Sequence, residues 1–172
     1  MIFQTVLQMS FLICPDKFNP CHLHFGTAVQ NNDATDNRFS RIIYSTKHIS
    51  FNGVGILVDL AGTRRESYYN KTLIRFDPEL PDNQHILSQL HDIECKIVNK
   101  YADAVLGGTH RGIHSLQDQL KTGCIKAYVN EHRAASCGAA ANGNNGNPFM
   151  LKICGTWETN DECGMTYKFI KC

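Results

Sequence analysis

Apolar positions recur at intervals of two over several short runs of the chain, the period of strands with one buried face. RFSRIIYST (38–46) alternates in this way, ISFNGVGILVDL (49–60) gives a second strand, KTLIRF (71–76) a third and CIKAYVN (124–130) a fourth. Gly53 and Gly55 inside the second run predict a bulge or a sharp coil there. The closing stretch, LKICGTWETNDECGMTYKFIKC (151–172), holds two more runs. Leu151 and Ile153 alternate with Lys152, and Tyr167 and Phe169 with Lys168 and Lys171, while a polar, glycine-bearing turn divides them. That arrangement predicts a hairpin.

Between the third and fourth strands the spacing changes. After a break at Pro81-Asp82, with Asp82 expected as N-cap, Ile86, Leu90, Ile93, Ile97 and Tyr101 recur at three- and four-residue steps. Gly107-Gly108 ends that helix, and a shorter one is expected from Ile113 through Leu116 to Leu120, closed by Gly123. CGAAANGNNGNP (137–148) and QNNDATDN (30–37) read as flexible or solvated loops. The order is three strands, helices, one strand, a loop and two strands, with neither βαβ alternation nor a repeat. The expected fold is mainly β with an inserted helix (α+β), an OB-fold-like antiparallel barrel of five or six strands. Another α+β layout is also compatible with the pattern. Residues 1–37 are expected to be an N-terminal arm or linker, packed on the barrel or not, and residues 38–172 the domain. The apolar opening MIFQTVLQMSFLIC lacks a basic flank and a small-residue cleavage site, so it reads as an arm rather than a secretory signal. No stretch is long enough to span a bilayer.

Charge narrows the function. Seventeen Lys and Arg stand against sixteen Asp and Glu, so an overall basic field is excluded and any polyanion surface must be a local patch. Eight cysteines permit a disulfide framework, but Cys95 lies in a helical pattern and Cys154 in a strand, as small buried hydrophobes would. Reduced thiols are therefore expected, with a Cys154–Cys163 bridge or a secreted disulfide-rich domain as the alternatives.

No phosphate loop, dinucleotide fingerprint, nucleophile elbow or zincin helix occurs, and the expectation is a protein that is not an enzyme and uses no cofactor or metal. Cys21, His22 and His24 form the tightest metal-like cluster, but they match no standard zinc spacing. His110, Arg111 and His114 surround a glycine-rich connection that could meet phosphate or simply be solvated. The densest mixture of cations and rings is Arg64, Arg65, Tyr68, Tyr69, Lys71 and Arg75, and Lys152, Trp157, Tyr167 and Lys168 add to it from the closing strands. Rings can stack on the open faces of unpaired bases while cations track the phosphates, which needs no sequence motif. Each of these residues also has a plain alternative: Tyr69 in the core, Trp157 over a barrel end, lysines in solvent.

The closing hairpin, together with QLHDIECKIVNKYA and SLQDQLKTGCIKAYVN, resembles a group of single-stranded DNA-binding proteins from large eukaryotic DNA viruses and virus-like mobile elements. In that group an LKI-G-I-W-E strand precedes G-L-T-Y-K-F. The likeness covers roughly residues 50–172, and Thr156 departs from it where isoleucine is expected. It implies an OB-fold and sequence-tolerant binding of single-stranded DNA in viral replication or recombination, with Lys152, Trp157, Tyr167 and Lys168 on motif positions. It further implies an intracellular place, the host nucleus or a viral replication site. Replication proteins and further copies of the chain stay open as partners. A virion or virus-factory structural protein that binds no nucleic acid is the competing class.

Overall fold

The computed structural model describes residues 12–30, 37–69, 71–129 and 148–171. The strongest alternation, at the C-terminal end, becomes the two longest strands, β11 (Phe149–Glu158) and β12 (Glu162–Lys171), each of ten residues. Before them come β1 (Leu12–Ile13), β2 (Leu23–Phe25), β3 (Val29–Gln30), β4 (Arg38–Ser45), β5 (Ser50–Asn52), β6 (Val54–Val58), β7 (Arg64–Tyr68), β8 (Lys71–Arg75), β9 (Arg111–Ile113) and β10 (Cys124–Val129). Two α-helices, α1 (Pro81–Ala104) and α2 (Ser115–Lys121), and two 3₁₀ turns, Pro15–Lys17 and Pro20–His22, complete the set among the described residues.

The strands pair in the order β1-β6-β11-β12-β10-β8-β7, while β4 joins the far half of β11 and carries β2, β3 and β5. Strand β11 serves two neighbours because it bends. Its residues 149–153 pair with β6, residues 155–158 pair with β4, and the register against β12 shifts between Ile153 and Gly155. The architecture is mainly β with two helices, as the pattern predicts, but the sheet is mixed and open. Strands β1 and β7 end the path, and β1–β6, β10–β12 and β9–β12 pair in parallel. The expectation of a closed, wholly antiparallel barrel is corrected on both counts. Parallel partners need a long crossover, and further strands lie between the members of each pair: β11 runs between β10 and β12, and β2 to β5 between β1 and β6.

The helices cover one face of the sheet. On α1 the apolar stripe Leu90, Ile93, Ile97 and Tyr101 is buried, against sheet residues such as Ile56, Phe149, Leu151 and Phe169. Pro81 stands in the first turn and Leu80, not Asp82, is the N-cap. Gly123 ends α2 in the left-handed region at φ 66°, and a Cβ there would stand 2.6 Å from the Phe76 carbonyl oxygen, which excludes any other residue without distortion. Residues 12–30 share the same core: Phe18 and Leu23 are buried, and the Lys100 Nζ donates to the Pro20 and Leu23 carbonyls at 2.7 Å each. Residues 1–11 and most of the two stretches expected as loops, 30–37 and 137–148, lie outside the described residues.

Two buried polar groups tie α1 to its neighbours, one to strands and one to α2. The Tyr101 hydroxyl donates to Glu158 Oε2 at 2.5 Å and is 2.9 Å from Ser40 Oγ, and Arg38 pairs with the other Glu158 oxygen at 3.2 Å. This network locks α1 to β4 and β11. Glu94, buried on α1, accepts the backbone N–H groups of Leu116 and Gln117 at 2.8 and 2.9 Å, capping the first turn of α2 from outside. Burial pushes the Glu94 carboxyl above its ordinary value, with those two N–H bonds and His114 and His91 opposing. The folded state therefore takes up this proton before the unfolded chain does. Glu94's contribution is fullest below the unfolded carboxylate value of about 4.3 and is lost as pH rises through the folded value. Comparing urea midpoints of the parent and Glu94→Gln across that window should show the parent losing stability relative to the variant as pH rises. A pH-independent difference would contradict this assignment.

Candidate nucleic-acid interface

Successive residues of a strand point to opposite sides of a sheet, and residues paired across strands point to the same side. One side is fixed as the helix side by Ile74, Ile125, Phe169 and Leu151, all buried. The register then determines what stands on the other. Tyr68 pairs with Lys71, Lys71 with Tyr128, Tyr128 with Ile170 and Ile170 with Met150. The next row joins Glu66, Leu73 and Lys126 on one side and Lys168 and Lys152 on the other, with Lys126 and Lys168 each one residue before the Ala127–Phe169 pair. A third places Arg64 beside Arg75 and Cys124. Along β7, β8, β10 and residues 149–153 and 166–170 of the closing strands, this face carries Arg64, Lys71, Arg75, Lys126, Lys152 and Lys168 against one carboxylate, Glu66.

Lys152 and Trp157 are an odd number of positions apart, so in a regular strand they would face opposite sides. The register shift between Ile153 and Gly155 reverses the alternation and puts Trp157 opposite Gly164, on the cationic face. The indole lies directly on that glycine: a Cβ at Gly164 would come within 2.6 Å of its ring. Phe39 pairs with Trp157 on one side, Val29 with Phe39, and Ile113 with Gly164, making an apolar band at this end of the face.

The rings nearer the cations are open. Tyr68 is 58% and Tyr128 40% exposed, and the Lys71 ammonium sits 5.6 Å from the centroid of the Tyr128 ring. The Tyr68 hydroxyl donates to Glu66 at 3.1 Å, and Glu66 pairs with Arg75 at 3.8 Å, so that carboxylate is already engaged. Met150 and Ile170 share the face but are nearly covered, at 4% and 6%. The accessible path thus runs from the β7–β8 hairpin through Lys126 to Lys168, Lys152 and Trp157. Three strand spacings separate Tyr68 from Lys168, about 14 Å across the sheet.

Of the residues singled out from sequence, Arg64, Tyr68, Lys71, Arg75, Lys152, Trp157 and Lys168 share this face. Tyr167 does not: its side chain turns to the helices, where its hydroxyl donates to Gln119 Oε1 at 2.9 Å and burial raises its pKa. Arg65 pairs with buried Ile74 on the helix side as well, and burial lowers its pKa while Asp59 opposes. Tyr69 belongs to the hairpin turn, at φ 48° and fully exposed, on the rim of the surface rather than in its rows. Lys126 and Tyr128, not among the residues singled out from sequence, complete the face; their alternation with buried Ile125 and Ala127 in CIKAYVN is the signal that marks them. His110 bonds to the Thr159 carbonyl and Arg111 to Glu162, away from the rows. His22 packs edge-on against Tyr44. Cys14, Cys21, Cys95, Cys124, Cys154 and Cys163 are all free thiols, so no bridge joins Cys154 to Cys163. No protein-family model, no curated protein and no solved structure matches this chain.

Proposed function

We propose that the protein binds single-stranded DNA without strong sequence preference, acting as a binding protein rather than a catalyst. The observation that carries the reading is the register: cations from the β7–β8 hairpin, β10 and the closing strands fall on one face, interleaved with Tyr68, Tyr128 and Trp157. Unpaired bases would stack on the rings while lysines and arginines follow the phosphates. A duplex hides its base faces and offers this surface only phosphates. The choice of DNA, the viral setting and kinship with OB-fold binders come from the sequence resemblance. Open sheet or closed barrel, the mechanism needs only the face.

Fluorescence anisotropy with labelled single-stranded and duplex oligonucleotides at several salt concentrations tests the proposal. Single strands should bind more tightly than duplex throughout. Negligible affinity at low salt, or equal affinity for duplex, would overturn it, and self-association indifferent to nucleic acid would favour a structural protein. Replacing Tyr68 and Tyr128 together by alanine should weaken binding by about two orders of magnitude, each stacking contact being worth roughly 1–3 kcal/mol. The salt slope should stay nearly unchanged, because no phosphate contact is removed.

A further inference from the structure

A cysteine and two histidines meet on the helical side, away from the cationic face. His91 and Cys95 stand four residues apart on α1 and so on one side of that helix. His114 immediately precedes α2. The Cys95 Sγ is 3.6 Å from Nε2 and 3.8 Å from Nδ1 of His91, and 3.9 Å from Nδ1 of His114. The two imidazole centroids are 5.8 Å apart with the rings at 78°.

These separations approach what one tetrahedral Zn²⁺ imposes. With Zn–S about 2.3 Å and Zn–N about 2.0–2.1 Å, sulfur and nitrogen ligands lie about 3.6 Å apart and two imidazole centroids about 5 Å apart. The sphere is not closed: Sγ is almost equidistant from both His91 nitrogens, so that ring offers no single lone pair, and no three such groups among the described residues form a finished ligand set. A turn of the His91 ring and a shift of about half an ångström by His114 would close it. His91 also lines a cleft of about 370 Å³ between the helices, with Leu87, Gln117 and Leu120 on its walls, so the cluster opens toward solvent on the His91 side.

We propose that His91, Cys95 and His114 form a binding site for Zn²⁺ or a similar borderline-soft divalent transition metal. The ion would fasten the start of α2 to the middle of α1, beside the Glu94 cap. Loading forms a metal–thiolate bond and releases the thiol proton to solvent.

The test is a titration of EDTA-treated protein with Co²⁺ and, separately, Zn²⁺. One equivalent of Co²⁺ should give a thiolate charge-transfer band and tetrahedral d–d bands, and Zn²⁺ should raise Tm by about 5 °C or more. Cys95→Ser, nearly isosteric and checked for folding by circular dichroism, should lose both, and His114→Ala should lose the tetrahedral spectrum. Cys21→Ser should keep both. Absence of one-to-one uptake, or an unchanged charge-transfer band in Cys95→Ser, overturns the site.

Discussion

Replacing Lys126, Lys152 and Lys168 together by alanine should lower affinity for an oligodeoxythymidylate about 10²- to 10³-fold at about 50 mM salt. Each cation on a single-strand phosphate releases roughly 0.7 of a counterion, which at that salt amounts to nearly tenfold in affinity per contact. The slope of log K against log salt should fall in magnitude by about 2. Folding should be spared, since none of the three ammonium groups belongs to an ion pair among the described residues. The pattern is the converse of that expected for Tyr68 and Tyr128, whose loss shifts affinity at every salt concentration. Measuring both variants over one salt series therefore separates phosphate contacts from stacking. An unchanged slope in the lysine variant would remove these side chains from the interface.

Gly155→Ala should destabilise the fold by about 3 kcal/mol, the upper end of what an added methyl costs in a packed interior. A Cβ at this position would stand 2.4 Å from the Phe39 ring and 2.4 Å from the Ser40 carbonyl oxygen. The ring could move, but the carbonyl is held in the β4–β11 pairing, so the methyl is accommodated only by opening that ladder. The same bend carries Trp157 onto the cationic face, and the variant should show altered tryptophan fluorescence as well as a Tm lower by roughly 6–12 °C. Gly26→Ala is the control: its Cβ would meet nothing closer than 3.5 Å, and its urea midpoint should barely move. Equal midpoints for the two variants would contradict the tight approach at Gly155.

Much of this architecture was legible because burial enforces period. The α1 stripe, the alternation in β4, β8 and β10, and the closing hairpin all follow from which side chains must leave water. Strand β7 was harder: at the end of the sheet's pairing path, with four of its five residues exposed, RRESY carries no apolar period to read. The candidate surface was legible in composition but not in parity. Tyr167 adjoins Lys168, and Arg65 adjoins Arg64, so neighbours on one strand cannot both serve one face. Applying that rule would have removed Tyr167 and Arg65 and brought in Lys126 and Tyr128. The contribution of Trp157 could not be derived this way, because it depends on the register shift between Ile153 and Gly155, which is visible only in the pairing of β11 with β12. Closure failed as an expectation for a related reason: pairing partners such as β10 with β12 are set by long-range register, which local alternation does not encode.

Lysine footprinting tests the central claim most directly. The protein is acetylated with and without a saturating single-stranded oligonucleotide, and modification at each lysine is read by mass spectrometry. Lys71, Lys126, Lys152 and Lys168 should be protected, while Lys96 and Lys121, exposed on the helices, should react equally in both samples. Protection confined to the helix side, or spread evenly over all six, would contradict the account.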